Sequence, residues 1–277
     1  MSDTASHFEY RFGWRWLLPL EPGQTISLAG FDEQERAFWR DALTPAARVE
    51  AAGPPQGWII DAERASVHPA SMRSMIAGAQ WVAVVGPQAS VQQWRRSLAG
   101  GLSHIREYGL LPEENPRVVI PLGSARHTRA ALHLYRPEFS RDRLSVALVR
   151  MFTRVVGSGL LRRRVVLIAA RPGGAAPMSQ AAAKLAADGN KPFTDFAIQL
   201  GSPGAQCITA VLPLHKARPQ CLVKNAAMPE ARERLKNEAE ALQRLSHSPC
   251  APAIPRYKGL LEHAKALHLF QEYRSPR

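Results

Sequence analysis

In this 277-residue chain, the pair whose types and spacing most invite chemistry is Lys224 with Glu238. Lys224 lies near the end of an apolar run, 221–225. Glu238 lies in the stretch 229–245, which has a helix-forming composition with apolar positions at Leu235, Ala239, Leu242 and Leu245. At about 100° per residue Glu238 falls inside that apolar stripe, whereas Glu233 and Glu240 fall outside it. A carboxylate on a packed helix face is costly unless it is paired. Lys224, on the preceding strand, is its natural partner. A lysine fixed in this way offers a cation to phosphate oxygens. Gly201 and Gly204 bound a turn just upstream, and Glu272 and Tyr273 close the last apolar run, 266–273.

Other chemistry is thinly represented. The nine His are dispersed and form no ligand cluster, so no metal site and no catalytic residue is assigned. Cys207, Cys221 and Cys250 are odd in number and stand at no metal-ligand spacing. A disulfide framework is therefore not expected, and a reducing compartment fits. No Gly-x-Ser-x-Gly elbow occurs.

Two different rhythms of elements would position these residues. Strands are expected at 25–29, 57–61, 80–86, 104–108 and 117–121, with helices at 33–43, 70–77 and 90–98, the last capped by Ser90. Continuous apolar runs between helices predict a mostly parallel, Rossmann-like α/β sheet covered on both faces. Residues 12–20, rich in aromatic and apolar side chains, are expected to dock on this first unit. From 141 to 157 an amphipathic helix is expected, with Leu144, Ala147, Leu148, Met151 and Val155 on one stripe and Arg143, Arg150 and Arg154 beside it. The Pro- and Gly-bearing stretch 171–177 is the best linker. From about 192 the order becomes strand–strand–strand–helix–strand–strand, a separate α+β architecture. The expected organisation is an α/β domain at 1–140, a basic helix and linker at 141–190, and an antiparallel sheet with one helix at 191–277.

The segment 192–277 resembles the N-lobe of the aminoglycoside phosphotransferase and small-molecule kinase families, within the protein-kinase-like fold. The resemblance is carried by 222–224 ending in Lys224, by 237–242 around Glu238, by 251–255 ending in Pro255, and by 269–273 ending in Tyr273. It implies a lobe that binds ATP with Mg: Lys224 on the phosphates, Glu238 holding Lys224, the Gly201–Gly204 turn over the phosphates, and backbone at Glu272 and Tyr273 facing adenine. The turn departs from the full glycine-rich loop, and Pro203 limits the approach of its amides. The family's catalytic aspartate and metal ligands belong to a C-lobe that lies past the point matching Arg277. A truncated or split phosphotransferase, or a pseudoenzyme with a separate C-lobe or protein partner, is the expectation.

Residues 1–140 resemble, more faintly, a class I S-adenosylmethionine methyltransferase. The resemblance rests on the run 57–61, the helix and strand through Gly86, and the stretch 97–108. Such enzymes often end in a helix, a small-residue turn and two antiparallel strands. In place of a glycine-rich loop after the first strand the chain has Leu28 to Asp32 with the single Gly30 followed by Phe31, and the ribose-binding acid is at best Glu50. The domain is therefore degenerate, with Asp61 as a strand-end cap.

Thirty-six basic against 23 acidic residues leave a net charge of +13. The one dense basic cluster is Arg162 to Arg164. It supports a competing scaffold reading, with an anionic membrane surface met through the segment from Arg143 to Arg164. A working methyltransferase is the third alternative. Nucleic acid is not favoured, because no module with interleaved aromatics accompanies the charge. No signal-peptide core and no apolar run of about 20 residues occurs, so a soluble, cytoplasmic protein is expected.

Overall fold

The computed structural model describes residues 7–8, 11–44, 46–66, 69–102, 104–113, 116–134, 147–151, 153, 158–171, 195–200, 209–216, 218–263 and 266–274. In its first part, strands β1 (Gln24–Ala29), β2 (Ala47–Val49), β3 (Gly57–Asp61) and β4 (Trp81–Pro87) alternate with helices α1 (Glu33–Leu43), α2 (Pro69–Ile76) and α3 (Gln88–Leu98). Then follow β5 (His104–Leu111), β6 (Val118–Pro121), α4 (Ala125–Leu134) and β7 (Arg164–Ala170). The second part contains β8 (Asp195–Leu200), β9 (Thr209–His215), β10 (Arg218–Pro219), β11 (Leu222–Ala226), α5 (Pro229–Leu245), β12 (Tyr257–His263) and β13 (Ala266–Gln271).

The fold is α/β, and its 13 strands form one mixed sheet in the order β12-β13-β11-β9-β8-β6-β5-β7-β4-β3-β1-β2, with β10 on β9. This corrects two expectations. Parallel pairing is confined to β1, β2, β3 and β4, because β7 enters antiparallel between β4 and β5. The two architectures also share a single sheet: Val118 and Val119 of β6 pair antiparallel with Gln199 and Ile198 of β8. Each of those strands would otherwise present an unpaired row of amides and carbonyls, so their union removes two open edges.

β7 is the strand the composition concealed. Its five central residues are buried, yet the flanking Arg162 to Arg164 gave the region a basic character. α1 begins as expected, with Asp32 and Glu35 forming a reciprocal capping box. α3 starts at Gln88 after Pro87, so Ser90 sits inside the helix and caps nothing.

One face of the sheet is covered by α1 and the N-terminal segment, the other by α2, α3 and α4. Leu222 packs on the latter core, and Ala226, of the same parity in β11, packs under α5 with Leu267 and Leu269. α5 thus continues that helix layer over the second half.

The N-terminal segment does more than dock on the first half. Trp14 meets Trp39 of α1 at a tilt, ring centroids 5.5 Å apart, while Trp16 meets His268 of β13 edge-on at 5.6 Å. Gly13 lies so close to Leu200 of β8 that a β-carbon there would overlap its side chain. The segment therefore spans both halves of the sheet.

Candidate functional site

Lys224 is the central residue of β11, opposite Leu269 of β13 and Ala210 of β9. That places it on the α5 face of an antiparallel sheet whose order is β8-β9-β11-β13-β12. α5 opens with Pro229 at its first position, where the missing amide hydrogen costs nothing. It buries Ala231, Leu235, Ala239 and Leu242. This packing turns Glu238 toward the strand, and its Oε1 accepts a hydrogen bond from Lys224 Nζ at 2.5 Å. The side chains remain 25% and 33% exposed, so the pair is reachable from solvent. Leu245 departs from the expected stripe and is exposed at the helix end.

Gly201 and Gly204 lie outside the described residues. The ladder on either side of them closes with Leu200 opposite Thr209. Ala210, the neighbour of Lys224, is one step further along, so the facing ends of β8 and β9 lie beside the lysine.

Glu272 and Tyr273 follow β13. Glu272 is three residues past Leu269, roughly 10 Å along the strand from Lys224. Its amide donates to the Arg256 carbonyl at 2.9 Å, so that group is not open to a ligand. Its carboxylate accepts from Arg274 Nε at 3.1 Å and from the Arg256 amide at 3.3 Å. Desolvation pushes the Glu272 carboxyl up, but the hydrogen bonds from Arg274 and Arg256 outweigh it and hold its pKa below the ordinary value. Tyr273 packs against the helix-side core.

Behind Lys224, on the opposite face of β11, Asn225 is fully buried and its Oδ1 lies 2.6 Å from His268 Nδ1. His268 is the residue that Trp16 contacts. The sequence patterns did not single out these two residues; they are the polar members of strands β11 and β13 that face the aromatic segment.

The first half positions a second cation differently. β2 and β3 flank β1 on opposite sides, so the crevice between the carboxyl ends of β1 and β3 is the place where open α/β sheets usually take a ligand. Here it is filled. Gly30, at φ 81°, lies so close to the chain 61–65 that a β-carbon would stand 2.7 Å from both the Asp61 carbonyl and the Ala65 amide. Arg64 donates to Glu35 at 2.6 and 2.8 Å and to Asp61 at 3.0 and 3.1 Å. Arg11 adds a contact to Glu35 at 2.6 Å. Burial alone would lower the Arg64 pKa; Glu35 and Asp61 outweigh it, raise the pKa and keep the guanidinium charged. Asp61 also accepts the Glu63 amide at 3.0 Å, the strand-end cap the sequence suggested. Glu50, the one candidate for a ribose-binding acid, is held by Arg36 and Arg40.

A cavity of about 280 Å³ remains beside this cluster, lined by Trp14, Asp61, Val85, Leu110, Arg164 and others. Among the described residues no group of three His, Cys, Asp or Glu side chains could hold a metal ion, and no helix is long and apolar enough to cross a membrane.

No protein-family model and no curated protein matches the chain. Its structural neighbours are weak. A co-crystal structure of WbdD with the kinase inhibitor LY294002 aligns at 13% identity and a TM-score of 0.24, covering 98% of this chain and 60% of that one. A medium-resolution structure of the bifunctional kinase-methyltransferase WbdD aligns at 13% identity and a TM-score of 0.25, covering 99% and 61%. The chain thus spans about three-fifths of the length of those proteins. A likeness at that level leaves function to the chain's own geometry.

Proposed function

We propose that the second half of the sheet is the nucleotide-binding lobe of a kinase-like phosphotransferase, taking ATP with Mg, and that the first half is a methyltransferase-like platform without a working cofactor crevice. The observation that carries this is the Lys224–Glu238 pair at 2.5 Å, a strand lysine held by the next helix and left partly open to solvent. The strand order around it, with the paired ends Leu200 and Thr209 one step from its neighbour Ala210, supports the same reading.

Bound nucleotide would supply a transferable phosphoryl group and the metal that neutralises it. Lys224 would meet phosphate oxygens, and Glu238 would keep its ammonium aimed there. Glu272 would not take adenine through its amide, which Arg256 occupies. Any adenine contact would therefore come from the backbone around Tyr273 or from the carbonyl side. The catalytic acid and the metal ligands would come from a partner lobe.

Calorimetric titration of the chain with ATP and Mg²⁺ tests this. Saturable binding is expected, weakened at least tenfold, about 1.4 kcal/mol, by Lys224→Ala and less by Glu238→Gln. No heat at millimolar ATP, or undiminished binding to the Lys224→Ala protein, would overturn the assignment.

A further inference from the structure

The helical residues 147–151 turn the expected amphipathic pattern around. Leu148 and Met151 are 44% and 52% exposed, and Ala147 is exposed beside them. The opposite side faces inward: Val149 packs on the helix-side core and Thr153 is buried. Arg150 also points inward, donating to the Leu132 carbonyl at 2.9 Å and to the His133 carbonyl at 3.5 Å. A cation at those last carbonyls satisfies the end of α4 and complements its dipole. Arg150 thus fixes the short helix on α4 with its apolar stripe outward.

The formal charges on α4 have one sign. Arg126 and Arg129 are exposed on α4, with His133 at its end, and neither α4 nor 147–151 contains an acidic residue. The denser cluster is not equivalent. Arg162 pairs with Glu107 at 3.5 Å, Arg163 with Glu113 at 3.4 Å, and Arg164 with Glu63 at 3.3 Å. Its charge is compensated within the chain, whereas Arg126 and Arg129 of α4 meet no acid among the described residues.

We infer that α4 and residues 147–151 form a docking surface for an anionic lipid bilayer. Leu148 and Met151 would enter the headgroup boundary, and Arg126 and Arg129 would meet lipid phosphate and carboxylate groups. The occupant fits on charge complementarity, since two exposed apolar side chains fixed to a helix that bears the exposed Arg126 and Arg129 suit a negatively charged interface better than an apolar groove.

Co-sedimentation of the whole chain with phosphatidylcholine vesicles, with and without one part in three of phosphatidylserine, tests this. Binding is expected only to the mixed vesicles, falling at least tenfold between low and high salt. Leu148→Glu with Met151→Glu, and separately Arg126→Glu with Arg129→Glu, should each reduce it at least fivefold. Arg162→Glu with Arg163→Glu should change it less than twofold. Circular dichroism confirms that each variant is folded. Absent binding would overturn the inference. So would binding that the Leu148 and Met151 changes leave intact, which is plain electrostatic adsorption. Self-association through this face, detected by sedimentation equilibrium without vesicle binding, would assign the face to a second copy of the chain instead.

Discussion

Each half of the sheet presents a cation held by a carboxylate from a packed helix, and the two are built to opposite ends. In the first half Arg64 is gripped by Glu35, which is wholly buried, and by Asp61, with Asp32 at 3.5 Å as a third acid. Their contacts fill the crevice between β1 and β3. In the second half Lys224 has one acid, Glu238, and both side chains stay a quarter to a third exposed. A guanidinium with several fixed donors suits a closed, saturated cluster, whereas an ammonium on a flexible stem can trade its partner for a phosphate. The first arrangement consumes its site to make structure, and the second keeps it open. The shared sheet and the N-terminal aromatic segment hold the closed half and the open half in one body.

The sharpest way to break this comparison is to remove the acid from each. Glu35→Ala leaves Arg11 without its buried acceptor, Arg64 with Asp61 as its remaining buried one, and the capping box of α1 without its second member. Breaking a buried pair by deleting one partner is strongly destabilising. A loss of about 3 kcal/mol is expected, the low end of that class because Arg64 is about one-third exposed. Urea unfolding measures it. A loss below about 0.5 kcal/mol would mean that the cluster is not what closes the crevice.

Glu238→Gln should cost far less stability. A partly exposed pair is worth about 0.5 kcal/mol, and glutamine still accepts from Lys224. The same urea series would therefore separate the two halves by about sixfold in energy. If Glu238→Gln proved as damaging as Glu35→Ala, the second pair would be structural too, and its claim to hold a ligand would weaken.

The two halves were unequally legible in the sequence. Pro229–Leu245 and Gly57–Asp61 form the helix and strand expected of them, because their apolar periodicities are unambiguous. The Lys224–Glu238 contact could be read because a carboxylate inside an apolar stripe demands a partner. The Arg64 cluster was hidden, since it joins a cap residue, a strand end and a loop that only tertiary packing brings together. α4 was hidden as well: it contains no acid in its first turn to announce a start. The orientation of 147–151 could not be read at all. Periodicity finds the apolar stripe, but the inward turn depends on Arg150 finding the end of α4. The single continuous sheet likewise depends on two edges meeting, which neither strand encodes alone.

A third carboxylate sits where the halves join and gives the smallest but most specific prediction. Asp195 opens β8 and is 8% exposed, with its Oδ2 3.6 Å from His127 Nδ1 of α4. Burial pushes its pKa above the ordinary carboxylate value, and the Phe196 amide, Arg106 and His127 only partly offset this. In the window between the ordinary and the raised value the folded chain therefore binds more protons than the unfolded one. Stability is full below that window and falls as pH rises through it. Asp195→Asn keeps an acceptor for the Phe196 amide, which donates at 2.9 Å, and removes the titration. Its melting temperature at neutral pH should match or exceed that of the parent by about 2–3 °C, with the difference vanishing below about pH 4. A variant less stable than the parent at neutral pH would show that the Arg106 and His127 charges outweigh burial, making Asp195 a third gripping acid of the closed kind rather than a strained one at the joint.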